Sequence, residues 1–530
     1  MFAMSTHLVA TNPPPGTATD VLAAEGGTLS SIENWVNEVF TPISDGLSNF
    51  VFAELTIGGI SFPWIVAWLV IAAAVFTIYF GFVQFRKFKL ATELVRGQYT
   101  SKDEPGEINH FQALASALSG TVGLGNIAGV GVAVTIGGPG ATLWMVVAGL
   151  LAMCTKFVEC TLGVRYRETH EDGTVSGGPM HYLRKGLAER FGNKFGIILG
   201  RVLAVLAAVM LLFFAFAGGN MFQANQTFAQ VKDVTGGDEG FLGSDGAAFI
   251  FGVLLAIVVG AVIIGGIKSI GAVTSRLVPA MGIIYVTACL IVILVNFTEV
   301  PAAFGQILAG AFTGEGVAGG AIGALIVGFQ RALFSNEAGI GSAPIAHSAV
   351  KTKNPATEGY VALLEPFIDT VIVCTMTALT VVIANTPFWN DARADVAAGG
   401  ETPDGVTVTS NAFETVLPWF PYILTIAVVL FALSTLITWG YYGQKAWTFL
   451  FGKNRTSERV YQVIFCLFTI AGCVLTLGSV LNFADAVLFL LALFNIIGLY
   501  LLVPIVKREV ADFAAKLKSG EVKKQDKTKV

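Results

Sequence analysis

Residues 64–85 and 247–267 each contain no charged side chain, over about the 20 residues that a helix needs to cross a bilayer. No water-soluble interior of this size buries several such stretches. Eleven can be marked along the 530 residues: 64–85, 111–135, 141–163, 196–230, 247–267, 277–297, 321–350, 360–384, 421–449, 460–479 and 484–506. A backbone in lipid must satisfy its own hydrogen bonds, so it crosses as a helix or as a closed barrel. Barrel strands alternate apolar and polar residues in segments of about ten. Ile250 to Ile264 is instead continuously apolar. Composition agrees with helical spans. Hydrophobic residues make up 54% of the chain and charged residues 13%, against about 25% charged in soluble domains. The expected class is an all-α integral membrane protein.

Positive charge sets the expected direction of the spans, because Lys and Arg concentrate in cytoplasmic loops. With eleven spans, 28 of the 32 Lys and Arg fall on one side: in 86–110, 164–201, 268–276, 351–353, 445–459 and the tail after 506. The other side has Lys232 and Arg393, and Lys156 and Arg331 lie within spans. The N-terminus is then outside and the basic C-terminus cytoplasmic, in a multi-pass protein of the inner (plasma) membrane. Residues 1–63 contain no Lys or Arg, unlike the start of a secretory signal. Three regions are expected. Residues 1–60 form an extracytoplasmic segment, disordered around Pro13, Pro14 and Pro15, with an amphipathic surface helix over 30–55. Residues 61–510 form the membrane domain, and 511–530 a basic cytoplasmic tail. Lys507-Arg508 and Lys523-Lys524 suit anionic lipid, although a solvated tail that fixes topology explains them as well. The six cysteines lie in or beside apolar runs without a CxxC pair. They read as small buried hydrophobes rather than disulfides or metal ligands.

Two spans are interrupted at mid-depth. One reads Ser119-Gly120-Thr121-Val122-Gly123-Leu124-Gly125-Asn126, the other Ser335-Asn336-Glu337-Ala338-Gly339-Ile340-Gly341-Ser342. Both have the pattern Ser-x-x-x-Gly-(Leu/Ile)-Gly followed by a small polar residue. Each glycine costs about 1 kcal/mol in a helix interior relative to alanine. Close helix contact through small residues would account for one such cluster. Two at corresponding places favour discontinuous helices in an internal repeat, whose free ends face substrate and ion. A half-helix N-terminus favours a carboxylate, and freed carbonyls favour an ammonium group or a hard cation. A zwitterionic amino acid offers both charges and suits paired breaks better than a neutral sugar does.

The same residues resemble the alanine or glycine:cation symporter family. The resemblance runs through Gln112-Ala113-Leu114, Gly123 to Gly129, Gly137-Gly138-Pro139-Gly140-Ala141 and Trp144-Met145. It continues through Lys156-Phe157 with Glu159, Gly177-Gly178-Pro179-Met180, Gly219-Asn220 with Gln223 and Asn225, and Phe334 to Gly339 with Gly341 to Pro344. Phe367-Ile368-Asp369-Thr370 and Cys374-Thr375 extend it, and it covers about 60 to 510. Val146 stands where the family often has a second tryptophan, in a stretch that reads as packing.

The resemblance implies a leucine-transporter-like fold. Spans two to six and seven to eleven would be inverted five-helix repeats, with 64–85 added in front. It implies symport of alanine or glycine with Na+, sometimes with protons. By that resemblance, the substrate carboxylate lies near the N–H groups of Gly123, Gly125 and Asn126. Asn126 is also a candidate sodium ligand, as is the Thr121 carbonyl. Gln223, Phe334, Ser335 and Trp439 line the substrate. For Gln223 an interhelical hydrogen bond, for Phe334 a core position, and for Trp439 a lipid-facing position are the plainer alternatives. A second sodium would take carbonyls of Ser119 and Val122 with hydroxyls of Ser434 and Thr435.

Charged residues inside spans need partners. Lys156 and Glu159, three apart on one helical face, are expected to pair. Arg331 and Glu337 flank the second break and would lock its conformation or gate its inner side. Glu365 and Asp369 are four apart, and Asp369 either braces the ion region or takes a proton. The partners expected are the amino acid, Na+ and the lipid bilayer, with no nucleic acid and no obligate protein. A channel or a proton-coupled or other-substrate transporter of the same fold are the rivals. A membrane enzyme is disfavoured, because the chain has neither an HExxH pair nor a GxSxG elbow.

Overall fold

The computed structural model describes residues 28–57, 60–99, 104–171, 173–244, 246–263, 266–313 and 320–524. The expected disorder around Pro13–Pro15 lies outside them. The first described helix is α1 (Thr28–Val51), followed by the hairpin β1 (Glu54–Ile57) and β2 (Ile60–Pro63). Helix α1 packs along the C-terminal helix, with Ser44 Oγ donating 2.8 Å to the Ser479 carbonyl. Its Trp35, Val39 and Ile43 are exposed at four-residue spacing, the outward face of an amphipathic helix.

Helix α2 (Trp64–Tyr79) occupies the first expected span. The second is α3 (His110–Thr121), a π-helical turn over Gly125–Gly129 and α4 (Val130–Ile136). Then come α5 (Ala141–Arg165), the short hairpin β3 (Glu168–Thr169) and β4 (Val175–Ser176), and α6 (Pro179–Phe191). Next are α7 (Lys194–Phe216) and α8 (Phe222–Val234), joined by a second π-helical turn over Ala217–Met221. They are followed by α9 (Ala247–Ile263) and α10 (Gly266–Val295). The second broken span is α11 (Gly320–Asn336) and α12 (Ala343–His347). After it, α13 (Pro355–Ala362) continues through a π-helical stretch at Phe367–Cys374 into α14 (Thr375–Ala384). The last three long helices are α15 (Pro421–Phe451), α16 (Arg455–Val474) and α17 (Leu477–Ser519).

Helix falls within each of the eleven expected stretches among the described residues, but the helices are not equally long. Seven helices are long and apolar enough to cross a membrane, or eight with the bent pair at 110–136, among the described residues. Helices α2 and α9, of 16 and 17 residues, are shorter than the roughly 20 residues that span a bilayer. The expected tail at 511–530 starts as helix, since α17 runs unbroken to Ser519. Exposed Ile71, Ile78, Ile250, Ile257 and Ile283 clothe the outside, whereas α5 and α15 are buried along most of their length. All six cysteines are free.

Candidate functional site

Helix α3 starts under a reciprocal cap. Gln112 N–H donates to the Asn109 side chain at 2.8 Å, and Asn109 N–H donates to the Gln112 side chain at 3.1 Å. It ends where Val122 turns to ψ 84°, and the chain continues at a bend of 56°. Side chains take over the freed backbone. Gly123 N–H donates 2.9 Å to Asn126 Oδ1, and Leu124 N–H donates 3.0 Å to Gln223 Oε1. Gly123 is required by close approach, since a Cβ there would stand 2.5 Å from Thr435 Oγ1 and 3.0 Å from Gln223 Oε1. The second break reverses through three residues in the left-handed region: Glu337 (φ 56°), Gly339 (φ 96°) and Gly341 (φ 81°). For Glu337 this conformation costs about 1–2 kcal/mol. Two hydrogen bonds hold it there, from Ser342 Oγ at 2.6 Å and from the Trp439 indole at 3.0 Å.

Around the breaks the structure gathers Gly123, Gly125, Asn126, Gln223, Phe334, Ser335 and Trp439, all buried. Phe334 touches Gly125 and meets Phe222 and Phe214 edge-on at 5.2 and 6.1 Å between centroids. Trp439 is fully buried, so the lipid-facing alternative is excluded. Its indole also donates 3.2 Å to the Gly120 carbonyl, and its ring meets Phe214 at 4.8 Å. Aromatic rings therefore pack together beside the polar breaks.

Asp369 is the centre of that polar region, next to the Asn126 and Ser335 that the sequence offered for ion and substrate. It sits in the π-helical stretch of the eighth span, an irregularity frequent at functional sites. Its Oδ1 accepts from Asn126 Nδ2 at 2.7 Å. Its Oδ2 accepts from Ser335 at 2.9 Å and from Thr370 at 2.7 Å. Thr377 donates 2.7 Å to the Asn126 carbonyl. No Lys, Arg or His pairs with Asp369 among the described residues, and no group of metal-binding side chains surrounds it.

A second cluster joins α3 and α15. Ser119 Oγ donates 2.9 Å to the Ser434 carbonyl, and Thr438 donates 3.0 Å to Ser119 Oγ. Thr435 Oγ1 is buried without a hydrogen-bond partner. Val122 and Ser434 are buried as well. Thr121 is less available, because its hydroxyl turns back to the Ala117 carbonyl at 3.3 Å and its carbonyl accepts from Gly123 N–H at 2.9 Å.

The intraspan charges pair across helices rather than along them. Lys156 donates 2.9 Å to Glu365, not to Glu159, whose Oε1 accepts from Asn495 at 2.7 Å. Arg331 pairs with Asp485 on α17 and lies over the Phe334 ring at 5.4 Å, so it closes the site on the side away from the basic loops. Toward the basic face lies a cavity of about 480 Å³, lined by Glu107, Tyr441, Gln444 and Lys445.

The sequence profile of the sodium:alanine symporter family matches residues 49–527. The chain belongs to that family. It is 37% identical over 452 residues to the sodium/alanine symporter AgcS of Methanococcus maripaludis, covering 85% of this chain and 94% of AgcS. The amino-acid carrier protein AlsT of Bacillus subtilis is 33% identical, over 84% of this chain and 88% of its own. The probable sodium/glutamine symporter GlnT of Bacillus subtilis is 30% identical, over 86% and 89%. Among solved structures, MhsT in complex with L-phenylalanine matches with a TM-score of 0.54 at 16% identity, over 75% of this symporter and 89% of MhsT. At that identity the likeness speaks for the fold, and it supports the leucine-transporter-like arrangement. The symporter is a multi-pass membrane transporter, not an enzyme.

Proposed function

We propose that this symporter moves alanine or glycine together with Na+ into the cytoplasm by alternating access. It would cross the membrane eleven times, with the N-terminus outside and the basic loops in the cytoplasm. The observation that carries the ion is Asp369. A buried carboxylate without a positive partner is costly, and a monovalent cation beside Asn126 and Ser335 would compensate it. The orphaned Thr435 hydroxyl supports a second sodium, with Ser434 and the carbonyls of Ser119 and Val122. These are oxygen donors, as a hard cation prefers. The substrate carboxylate would lie against the Gly123–Asn126 backbone, within reach of the first ion. The amino group would face Ser335 and the carbonyls of the second break. The bulk of Phe334, Phe214 and Trp439, packed together beside the breaks, favours alanine or glycine over the glutamine named for one relative.

Uptake of labelled L-alanine into proteoliposomes under an inward sodium gradient tests this reading, with potassium replacing sodium at matched membrane potential. Sodium-dependent uptake that Asn126→Ala abolishes is expected. Uptake that follows a proton gradient alone would overturn the ion. No uptake of alanine or glycine by folded protein would overturn the substrate.

A further inference from the structure

Each broken span has a half that reaches the basic face: α3 in the first and α12 in the second. The chain flanking these halves is zipped together. Glu107 N–H donates 2.7 Å to the Ala349 carbonyl, Lys351 N–H donates 2.8 Å to the Ile108 carbonyl, and Thr352 N–H donates 3.3 Å to the Pro105 carbonyl. Arg167, just beyond α5, spans the zip. Its guanidinium donates to the carbonyls of Ser348, Val350, Pro105 and Thr352 at 2.6–2.9 Å.

A second fastening is built from side chains. His110 is the first residue of α3 and His347 the last of α12. Both imidazoles use Nδ1 to hold Glu358 on α13, His110 on Oε1 and His347 on Oε2. One carboxylate thus ties the half-helices of both breaks to the start of the eighth span. All three side chains are buried. Burial of an acid and two imidazoles at this spot is costly unless each is paired, and the two contacts share the carboxylate between them. Behind them, His347 Nε2 lies 3.9 Å from Glu365, the partner of Lys156.

Building on the symport reading, we infer that Glu358 is a positioning residue of transport: with His110 and His347 it makes both inner half-helices move with α13 as one body. The two halves of the site then open to the cytoplasm together. Without the Glu358 fastening only the zip at their ends links the two halves, so α3 can part from α10 while the second break stays closed, and sodium escapes without amino acid. The Ser116–Thr274 hydroxyl contact, 3.3 Å and buried between α3 and α10, marks the seam that would part.

The test uses Glu358→Gln, which keeps the shape and loses the charge. Labelled sodium influx into proteoliposomes without alanine, sodium-dependent alanine binding and the sodium-to-alanine ratio are measured on the same preparations. Loss of charge-assisted hydrogen bonds between buried partners predicts about a tenfold rise in sodium influx without substrate. Alanine affinity should stay within about threefold, because Glu358 does not touch the site. In a Ser116→Cys background, labelling by a membrane-impermeant maleimide from the basic face should rise with it. Unchanged sodium influx and unchanged labelling in folded Glu358→Gln overturn the inference. If that variant does not fold, His110→Gln, which frees only α3, is judged by the same criteria. The labelling readout separates the two ideas. A wild type without sodium-driven uptake refutes the symport reading, while labelling still reports whether Glu358 holds α3.

Discussion

Asp369→Asn asks directly whether the buried carboxylate serves a cation. The replacement is nearly isosteric. Its carbonyl can still accept from Asn126, now 2.7 Å from Oδ1. Its NH2 would meet the hydroxyls of Ser335 and Thr370, which accept as well as donate. The fold should therefore survive, and the change is one of charge. A carboxylate and a sodium ion about 4 Å apart attract by roughly 4 kcal/mol at an effective dielectric of 20. At about 1.4 kcal/mol per decade, that is at most about a thousandfold in affinity. The asparagine oxygen restores part as a neutral ligand, so a rise of about a hundredfold in half-saturating sodium is expected. Alanine binding to purified protein, titrated with sodium, reads this out. Weaker alanine binding at fixed low sodium should recover at high sodium, because the coupling is reciprocal. A neutral, purely hydrogen-bonding role would be filled by the amide at little cost. A sodium shift under about threefold in a folded variant therefore refutes the reasoning.

Gly123→Ala places a methyl 2.5 Å from Thr435 Oγ1, and overpacking of this kind costs about 1–3 kcal/mol. Uptake should fall at least about tenfold, whereas Gly129→Ala, which meets no atom within 4 Å, should stay near wild type. Lys156→Met leaves the fully buried Glu365 without its ammonium. A loss of about 3–5 kcal/mol is expected, read as a lower thermal midpoint in detergent, and adding Glu365→Gln should restore most of it. At the basic face, Glu168 lies 2.8 Å from both Arg184 and Lys185. His181 and Lys185 hold its carboxyl below the usual range, while burial holds His181 itself below its ordinary value, so near neutrality the cations supply the attraction. A depressed carboxyl stabilises the fold above its unfolded pKa, and that gain is lost as pH falls through the folded value. Glu168→Gln should thus lower the thermal midpoint slightly at pH 7, by under about 1 kcal/mol for a half-exposed cluster. The gap from wild type should begin to narrow as the pH falls below about 4.5 and close only as it approaches the lower folded value.

The legible part of this protein was the part written in neighbouring residues. Each glycine cluster is a local break in a helical pattern, and Asn126 caps its own break from three residues away. What escaped was set by contacts between remote spans. Asp369 meets Asn126 across 243 positions and His110 meets Glu358 across 248. Lys156 shows why the local rule failed. Three-residue spacing predicts a pair with Glu159 on a solvated helix, where no other partner is near. Inside a bundle both side chains leave α5 for neighbouring helices, and each takes the complement waiting there: Glu365 for Lys156, Asn495 for Glu159. The same rule explains the ends of the second break. Arg331 and Glu337 are six residues apart and were expected to act together, yet one closes on Asp485 of α17 and the other on Trp439 of α15. A single broken helix is thereby tied to two different helices on its two sides. That is the arrangement a gate needs if one side is to open while the other stays shut.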